Sequence, residues 1–455
     1  MKATKNDKDK LKNKYSYKWG NITSVLRWNN QMSSKLFSNI SVYYSNYGLN
    51  NLFSSSSDKG LAKFHAKSDI NDLSIMGDFD WFVSSAYTLR FGGKTGLMHF
   101  APNITQIADE TSNTKLNEDQ RNQSFSYEAF VENELKLNKF NINFGLRGSI
   151  YDTGDKAYQN IEPRLAIGYR SVGGFSTNIA FTRMSQFIHL LSNSSLGMPT
   201  DLWVASTDKV KPQTSNQVSV GAEMKLANYS FGVEAYHKKM SDVIRFDEGA
   251  VFLSTQEAKW EENILDGQGR AHGVEFMIKK NAGRFKGMIS YTLAWSERQF
   301  NKVNQGEWFP HEHDRRHDIS FLGEYSLFKS KNREQSLSFG FILQSGNNIS
   351  MPDIEYEGMY LLDMHNPNLQ NPDWPKSRQS YDSPNNFKMP LFHHLDLSYN
   401  TKRITSKGKT HTWSFSVYNV YNKMNPWYYY KGTSGKLKQV SIFPIIPSIG
   451  YKYTF

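Results

Sequence analysis

The sequence predicts an all-β protein: a transmembrane antiparallel β-barrel of about seventeen strands, with short turns on one rim and long loops on the other. Three observations predict it. Segments with a two-residue apolar period recur from Tyr15 to the last residue. The gaps between them alternate between short and long. Aromatic residues make up 14% of the 455 positions, including 25 Tyr and 30 Phe, yet no apolar run is long enough for a membrane-spanning helix.

The first run, Tyr15 to Trp28, descends from a charged opening, Lys5 to Lys14. In 141–150 the apolar set is Ile142, Phe144, Leu146 and Ile150. A strand at 164–170 follows, then a turn at 171–174 and a strand at 175–182 with Phe175, Ile179 and Phe181 on one face. The stretches 231–236, 336–343 and 413–418 repeat the pattern, with Ser, Gly and Asn on the second face. Small polar residues there suit a wet lumen wall; in a packed core they would leave voids. Tight connections are predicted at Asn138-Lys139, Ser171 to Gly174, Ala227-Asn228, Asn281 to Gly283 and Ser406 to Gly408. Long loops are predicted at 45–67, 101–119, 185–213, 241–267, 297–315, 346–388 and 421–438. A soluble sandwich would have short connections at both ends.

The last strand is the clearest. From Phe443 every odd position (Phe443, Ile445, Pro447, Ile449, Tyr451, Tyr453, Phe455) is apolar or aromatic, while Ser448, Gly450, Lys452 and Thr454 are small or polar. The first set faces lipid and the second the lumen. Pro444 and Pro447, which cannot donate to a ladder, belong at the rim or a bulge. The final Tyr451, Tyr453 and Phe455 resemble the C-terminal assembly signal of bacterial outer-membrane barrels, which implies the barrel-assembly machinery and outer-membrane lipid as partners.

Composition excludes several classes. Without cysteine there is no disulfide frame, thiolate metal site or Cys nucleophile. The net charge of +11 comes from scattered Lys and Arg with no basic helix face, so nucleic acid is not an expected partner. The negative mean hydropathy is compatible with a barrel, because every second strand residue is polar. Met1 is followed by charged residues, with no apolar core of a signal peptide.

Several stretches together resemble TonB-dependent outer-membrane receptors of the Bacteroidetes type. They are Arg183 to Ser195, Pro199 to Val204, Lys211-Pro-Gln213, Asp314 to Ser320, Gln344 to Asn347, His394 to Ser398, and Trp413 to Pro426 with its Tyr418-Asn-Val-Tyr-Asn core. The resemblance implies a 22-stranded barrel around an N-terminal plug. It also implies import of a scarce nutrient (siderophore-iron, cobalamin, haem or similar) with energy passed on by TonB. Residues 1–455 read as the C-terminal barrel portion, without plug, export signal or first strands, so TonB is reached only through the missing plug segment and uptake by this chain alone is not expected.

Candidate sites are few. His311-Glu-His-Asp-Arg-Arg-His-Asp318 offers histidines, but a zinc-protease helix needs the second His four residues after the first, and Arg315 stands there. It reads as a strand entry, with no metal site. His394, Asp396 and Ser398 face the lumen opposite Leu391, Leu395, Leu397 and Tyr399, and Arg147, Arg164, Arg170, Glu234 and Lys238 are lumen charges meeting a plug or neighbouring strands. Loop aromatics, chiefly Trp203, Trp260, Trp308 and Trp374, are weak candidates for gripping a small-molecule ligand, with girdle or loop packing as the plainer role. No G-x-S-x-G elbow, P-loop or dinucleotide fingerprint occurs, so neither catalytic residues nor a cofactor are expected. A passive porin-like channel is the alternative reading.

Overall fold

The computed structural model describes residues 12–57, 60–108, 114–119, 122–191, 202–246, 261, 264–352, 354–357, 377–431 and 436–455. Seventeen antiparallel strands form one sheet, to which Thr114–Asp119 and Phe309–Pro310 add short edge pieces. They are β1 Lys12–Gln31, β2 Leu36–Ser57, β3 Gly60–Ser84, β4 Tyr87–Ala108, β5 Asn122–Leu137, β6 Phe140–Asp152, β7 Ala157–Arg170, β8 Phe175–Gln186 and β9 Gln213–Leu226. The second half continues with β10 Tyr229–Phe246, β11 Ile264–Lys280, β12 Phe285–Gln299, β13 His317–Lys329, β14 Arg333–Gln344, β15 Phe392–Ile404, β16 Thr410–Tyr418 and β17 Ile446–Thr454. Each pairs with its chain neighbour. Among the described residues β1 pairs only with β2, and β17 only with β16.

The turn chemistry is where the sequence placed it. Asn138, Gly174, Ala227, Gly283 and Gly408 all have positive φ (52°, 82°, 51°, 101° and 77°), one in each predicted tight connection. Asn and Gly tolerate that conformation; Ala227 does so at a cost. On the opposite rim the connection of β6 to β7 is also short, closed by Thr153 N–H donating to Lys156 O at 2.9 Å.

Two predicted long loops are corrected. The stretches 45–67 and 101–119 are mostly ladder: β2 and β3 pair from Leu36↔Trp81 to Ser57↔Gly60, and Asn103–Ala108 pairs with Thr114–Asp119. These segments are polar, which read as loop. A ribbon projecting into water needs only its backbone hydrogen bonds, not an apolar face. The terminal strand also begins later than its pattern. Phe443 has φ of 59°, and regular pairing starts at Ile446↔Tyr418, which leaves Pro444 outside and Pro447 near the start of an edge strand.

The registers carry one apolar face across the whole sheet. Val42↔Ile75, Leu73↔Leu97, Phe91↔Val131, Leu146↔Val131 and Phe144↔Leu165 run through the first half. Phe231↔Ile278, Phe276↔Tyr291, Phe321↔Phe341, Leu397↔Val417 and Phe415↔Ile449 continue it through the second. Most of these side chains are exposed, with Ile449 at 72% and the terminal Phe455 at 96%. Among the described residues no second protein layer covers Phe443, Ile445, Ile449 or Tyr451, which a soluble sandwich would require.

Candidate functional site

The opposite face is polar, and its two halves differ. On β3 to β7 acids and bases pair across the strands. Arg90 Nε lies 2.7 Å from Asp80 Oδ1, Arg164 Nη1 donates to Glu132 Oε1 at 2.9 Å, and Arg147 pairs with Glu128. Arg147 and Arg164, expected to meet a plug or neighbouring strands, thus have partners within the wall. Each pair is partly wet, so each contributes only about 0–1 kcal/mol. Two neighbouring hollows of about 410 and 460 Å³ share Arg90, Glu132 and Arg164 in their linings. On β14 to β17 the wall is small and hydroxylic: Ser416 Oγ donates to Ser398 Oγ at 2.8 Å, and Asn400 Nδ2 to Ser338 Oγ at 3.3 Å. At the upper end of β15, His394 Nδ1 lies 3.0 Å from Asp396 Oδ1, which also accepts from Asn419 N–H at 2.8 Å. His394 and Asp396 are wall residues, as their alternation predicts.

Above the charged half lies an element that periodicity did not isolate. The connection of β8 to β9 folds over the polar face of the sheet as a hairpin, Ile188–Leu191 paired with Leu202–Ala205. One face carries His189, Leu191 and Val204, all buried, and the other Leu190 and Trp203. Alternation along four residues is what makes both sets possible. Leu191, Val204, Ala205 and Val210 form one cluster with Leu49 of β2 and Phe100 of β4, flanked by Tyr47, Ile70, Ile244, Phe246 and Ile264. Phe187 at the root stacks on Tyr151 with centroids 4.6 Å apart, and Ser124 Oγ donates to the Tyr151 hydroxyl at 2.8 Å. Tyr158 donates to Thr207 O at 2.8 Å, and Ser68 Oγ to Trp203 O at 3.4 Å. By register Leu49, Ser68, Phe100, Tyr151 and Tyr158 all stand on the face opposite the apolar belt. A flat sheet cannot bring one short hairpin against β3 and β7 together, so the sheet curves around it.

His189 is enclosed with the hairpin. Its Nε2 lies 3.0 Å from Ser206 Oγ while Nδ1 has no partner, and burial lowers its pKa from 6.5 to about 4. A depressed histidine favours the neutral, docked state. Its contribution is therefore complete above pH 6.5 and is lost as pH falls toward 4. Hydrogen exchange, corrected for intrinsic rate, is expected to show protection of Ile188–Leu191 and Leu202–Ala205 declining across that window, and a His189→Leu variant should show no such step.

The motif His311–Asp318 ties two loops together. Asp314 is buried and accepts from Ser296 N–H at 2.8 Å and Arg316 Nη2 at 3.3 Å. Asn348 Nδ2 reaches His311 O at 3.0 Å and Asp314 O at 3.3 Å, while Arg315 Nε donates to Asn347 Oδ1 at 2.9 Å. Asn385 Nδ2 closes the knot on Pro310 O at 2.8 Å. Gly346 is required where it sits, because a Cβ there would strike the Met389 carbonyl. His311 and His313 meet ring to ring at 5.4 Å, and no group of three metal-ligating side chains occurs among the described residues. Asp314→Ala leaves Arg316 and a backbone N–H without their acceptor. It is expected to cost about 3 kcal/mol, read as earlier proteolysis of 297–316 in a temperature series.

Of the predicted ligand aromatics, Trp203 lies in the hairpin on its less buried face. Trp308 is half-buried, with the Arg270 guanidinium 4.3 Å from its ring. Trp260 and Trp374 lie outside the described residues. Tyr451 and Tyr453 stand on the apolar belt, each against His411. Sequence reasoning missed Leu191, Val204 and His189, whose strands are too short for periodicity to separate from a loop.

These features meet a family model described as TonB dependent receptor-like, beta-barrel, which matches residues 2–422. The chain belongs to this family. Among solved structures the TonB-dependent barrel resembles the ferric yersiniabactin uptake receptor FyuA of Yersinia pestis, with a TM-score of 0.63 and 12% identity over 96% of this chain and 62% of that one. BauA, the ferric preacinetobactin receptor of Acinetobacter baumannii, gives 0.59 and 11%, over 96% and 63%. The pyoverdine receptor FpvA of Pseudomonas aeruginosa gives 0.59 and 12%, over 96% and 62%. The chain thus spans less than two thirds of these receptors, and at such identities the likeness is one of fold. No curated protein matches the chain.

Proposed function

We propose that this TonB-dependent barrel is the membrane-spanning part of an outer-membrane receptor that imports a scarce nutrient as a small-molecule chelate or cofactor. Siderophore-iron, cobalamin and haem are the leading classes, because the structural neighbours include ferric-siderophore receptors. The observation that carries the reading is the pairing of an unbroken outward apolar belt with a polar interior narrowed by the hairpin. One face meets hydrocarbon and the other a guarded aqueous path. The small molecule enters from the long-loop rim, where Trp203 is the surviving described candidate for first contact. TonB supplies the energy through a plug inside the barrel, and uptake is a property of the plugged receptor.

An inward-folded loop also suits a passive channel, which is the second reading. Uptake of radioactive ferric citrate, ferric catecholate and cyanocobalamin by cells expressing the full-length receptor, with and without TonB, separates the two. Loss of uptake without TonB supports the receptor; unchanged uptake supports the channel. Recovery of the protein in the aqueous fraction would end both. We further propose that Tyr451, Tyr453 and Phe455 engage the barrel-assembly machinery. Removing Phe455 should then lower the outer-membrane amount of the protein with no loss of synthesis, read by quantitative blotting of fractions.

A further inference from the structure

The outward face of β14 to β17 is layered toward the short-turn rim. The registers set Leu337↔Tyr399↔Phe415↔Ile449 level in the belt, then Gln335↔Thr401↔Trp413↔Tyr451, then Arg333↔Arg403↔His411↔Tyr453. Apolar side chains thus give way, rung by rung, to amphipathic rings and then to charge. On the last rung two arginines stand directly opposite each other on paired strands. Like charges so placed repel and weaken the pairing. Other cations of this rim avoid that: Lys136, Lys225 and Lys286 face Asn141, Ser230 and Glu324 in register.

Nothing in the wall relieves the repulsion. Arg333 and Arg403 are both exposed, and neither has an acidic partner among the described residues. Across 325–337, 397–415 and 446–455 the one acidic side chain is Glu334. It stands on the polar face, where Lys329 at 3.7 Å and Lys402 at 3.4 Å already hold it. Lys331 and Lys409, exposed in the flanking turns, add positive charge on the same side of the rim. His411 is engaged, its Nδ1 2.7 Å from the Tyr451 hydroxyl. The two guanidiniums are thus neighbours, open to the surroundings, and set directly beneath the Trp413 and Tyr451 rings, which pack together at 4.6 Å.

We propose that Arg333 and Arg403 together bind the headgroup phosphate of an anionic phospholipid in the leaflet that meets the short-turn rim. A phosphate between the two forks accepts from both, which replaces their repulsion by attraction. The depth fits, because indole and phenol rings such as Trp413 and Tyr451 sit where hydrocarbon meets headgroups. The acyl chains lie along Leu337, Tyr399 and Phe415. Lys331 and Lys409 favour a headgroup with net negative charge over a zwitterionic one. The site rests on the reading that the apolar belt is membrane-embedded, and it adds a specific lipid contact to that reading.

The test uses the full chain purified in detergent and incubated with dioleoyl phosphatidylglycerol, dioleoyl phosphatidylcholine or inorganic phosphate, with bound species counted by native mass spectrometry. Retention of the phosphatidylglycerol about fivefold above the phosphatidylcholine is expected, falling to parity in an Arg333→Gln/Arg403→Gln variant. A Lys136→Gln/Lys225→Gln variant removes as much charge from the same rim and should keep the preference. Without lipid, the Arg333/Arg403 variant should unfold no earlier on heating than the parent, because it loses only a repulsion. Added phosphatidylglycerol should raise the unfolding midpoint of the parent and not that of the variant. Equal retention of both lipids, an unchanged preference in the Arg333/Arg403 variant, or earlier unfolding of that variant without lipid would each overturn the site. Capture of inorganic phosphate to the same extent as lipid would do so too. Failure of the membrane reading is separate: the chain would then stay folded in water without detergent, with no heat-dependent shift on a gel.

Discussion

Arginine at Phe276 is expected to destabilise the barrel by about 2–4 kcal/mol, and arginine at the next residue, Met277, by much less. Phe276 is 47% exposed, in the middle of the belt between Val233 and Tyr291. Met277 points to the other face, where its methyl group would lie 3.5 Å from a Cβ built on Gly232. In a water-soluble body the order reverses, because an exposed Phe→Arg change is then nearly neutral. Equilibrium unfolding in vesicles, with the two variants side by side, reads the sign directly. A smaller cost at Phe276 than at Met277 would remove the membrane assignment.

The second large effect lies in the hairpin. Leu191→Asp or Val204→Asp puts a carboxylate at a site with 0% exposure, where even truncation to Ala costs about 2–5 kcal/mol. The barrel wall does not depend on this packing, so the loss appears as undocking rather than unfolding. At about 1.4 kcal/mol per factor of ten, the undocked population rises at least tenfold. Since the native chain has no cysteine, Ser68→Cys gives a clean reporter. Ser68 is fully covered and touches Trp203 O, so a membrane-impermeant maleimide should label it slowly in the parent and rapidly in the Leu191→Asp background. Equal labelling in both would show that the hairpin does not guard this wall.

Much of the fold was legible in the sequence. A two-residue period is a local property, so the apolar sets Ile142, Phe144, Leu146, Ile150 and Ile449, Tyr451, Tyr453 emerged from single strands and hold in the registers. Turn residues such as Asn138 and Gly283 are equally local, since positive φ is a demand on one residue. The polar ribbons at 45–67 and 101–119 were misread because their pairing is specified by the partner strand rather than by their own composition. Arg147 and Arg164 stand on the polar face that alternation predicts, yet their partners Glu128 and Glu132 lie 19 and 32 residues away.

The candidate site was largely illegible for the same reason. Nothing within Ile188–Leu191 distinguishes a hairpin buried against Leu49 and Phe100 from a surface loop; burial there comes from strands far away in the chain. The same holds for Arg333 and Arg403, which stand side by side only because β14 and β15 pair in one register.

The sequence by itself determined the fold class, the apolar face of each strand, and the tight turns, because alternation and φ are decided within a few residues. Only the tertiary structure decided which charges pair and that the β8–β9 connection folds over the polar face of the sheet. Those depend on sheet curvature and register, which arise when distant strands are laid side by side.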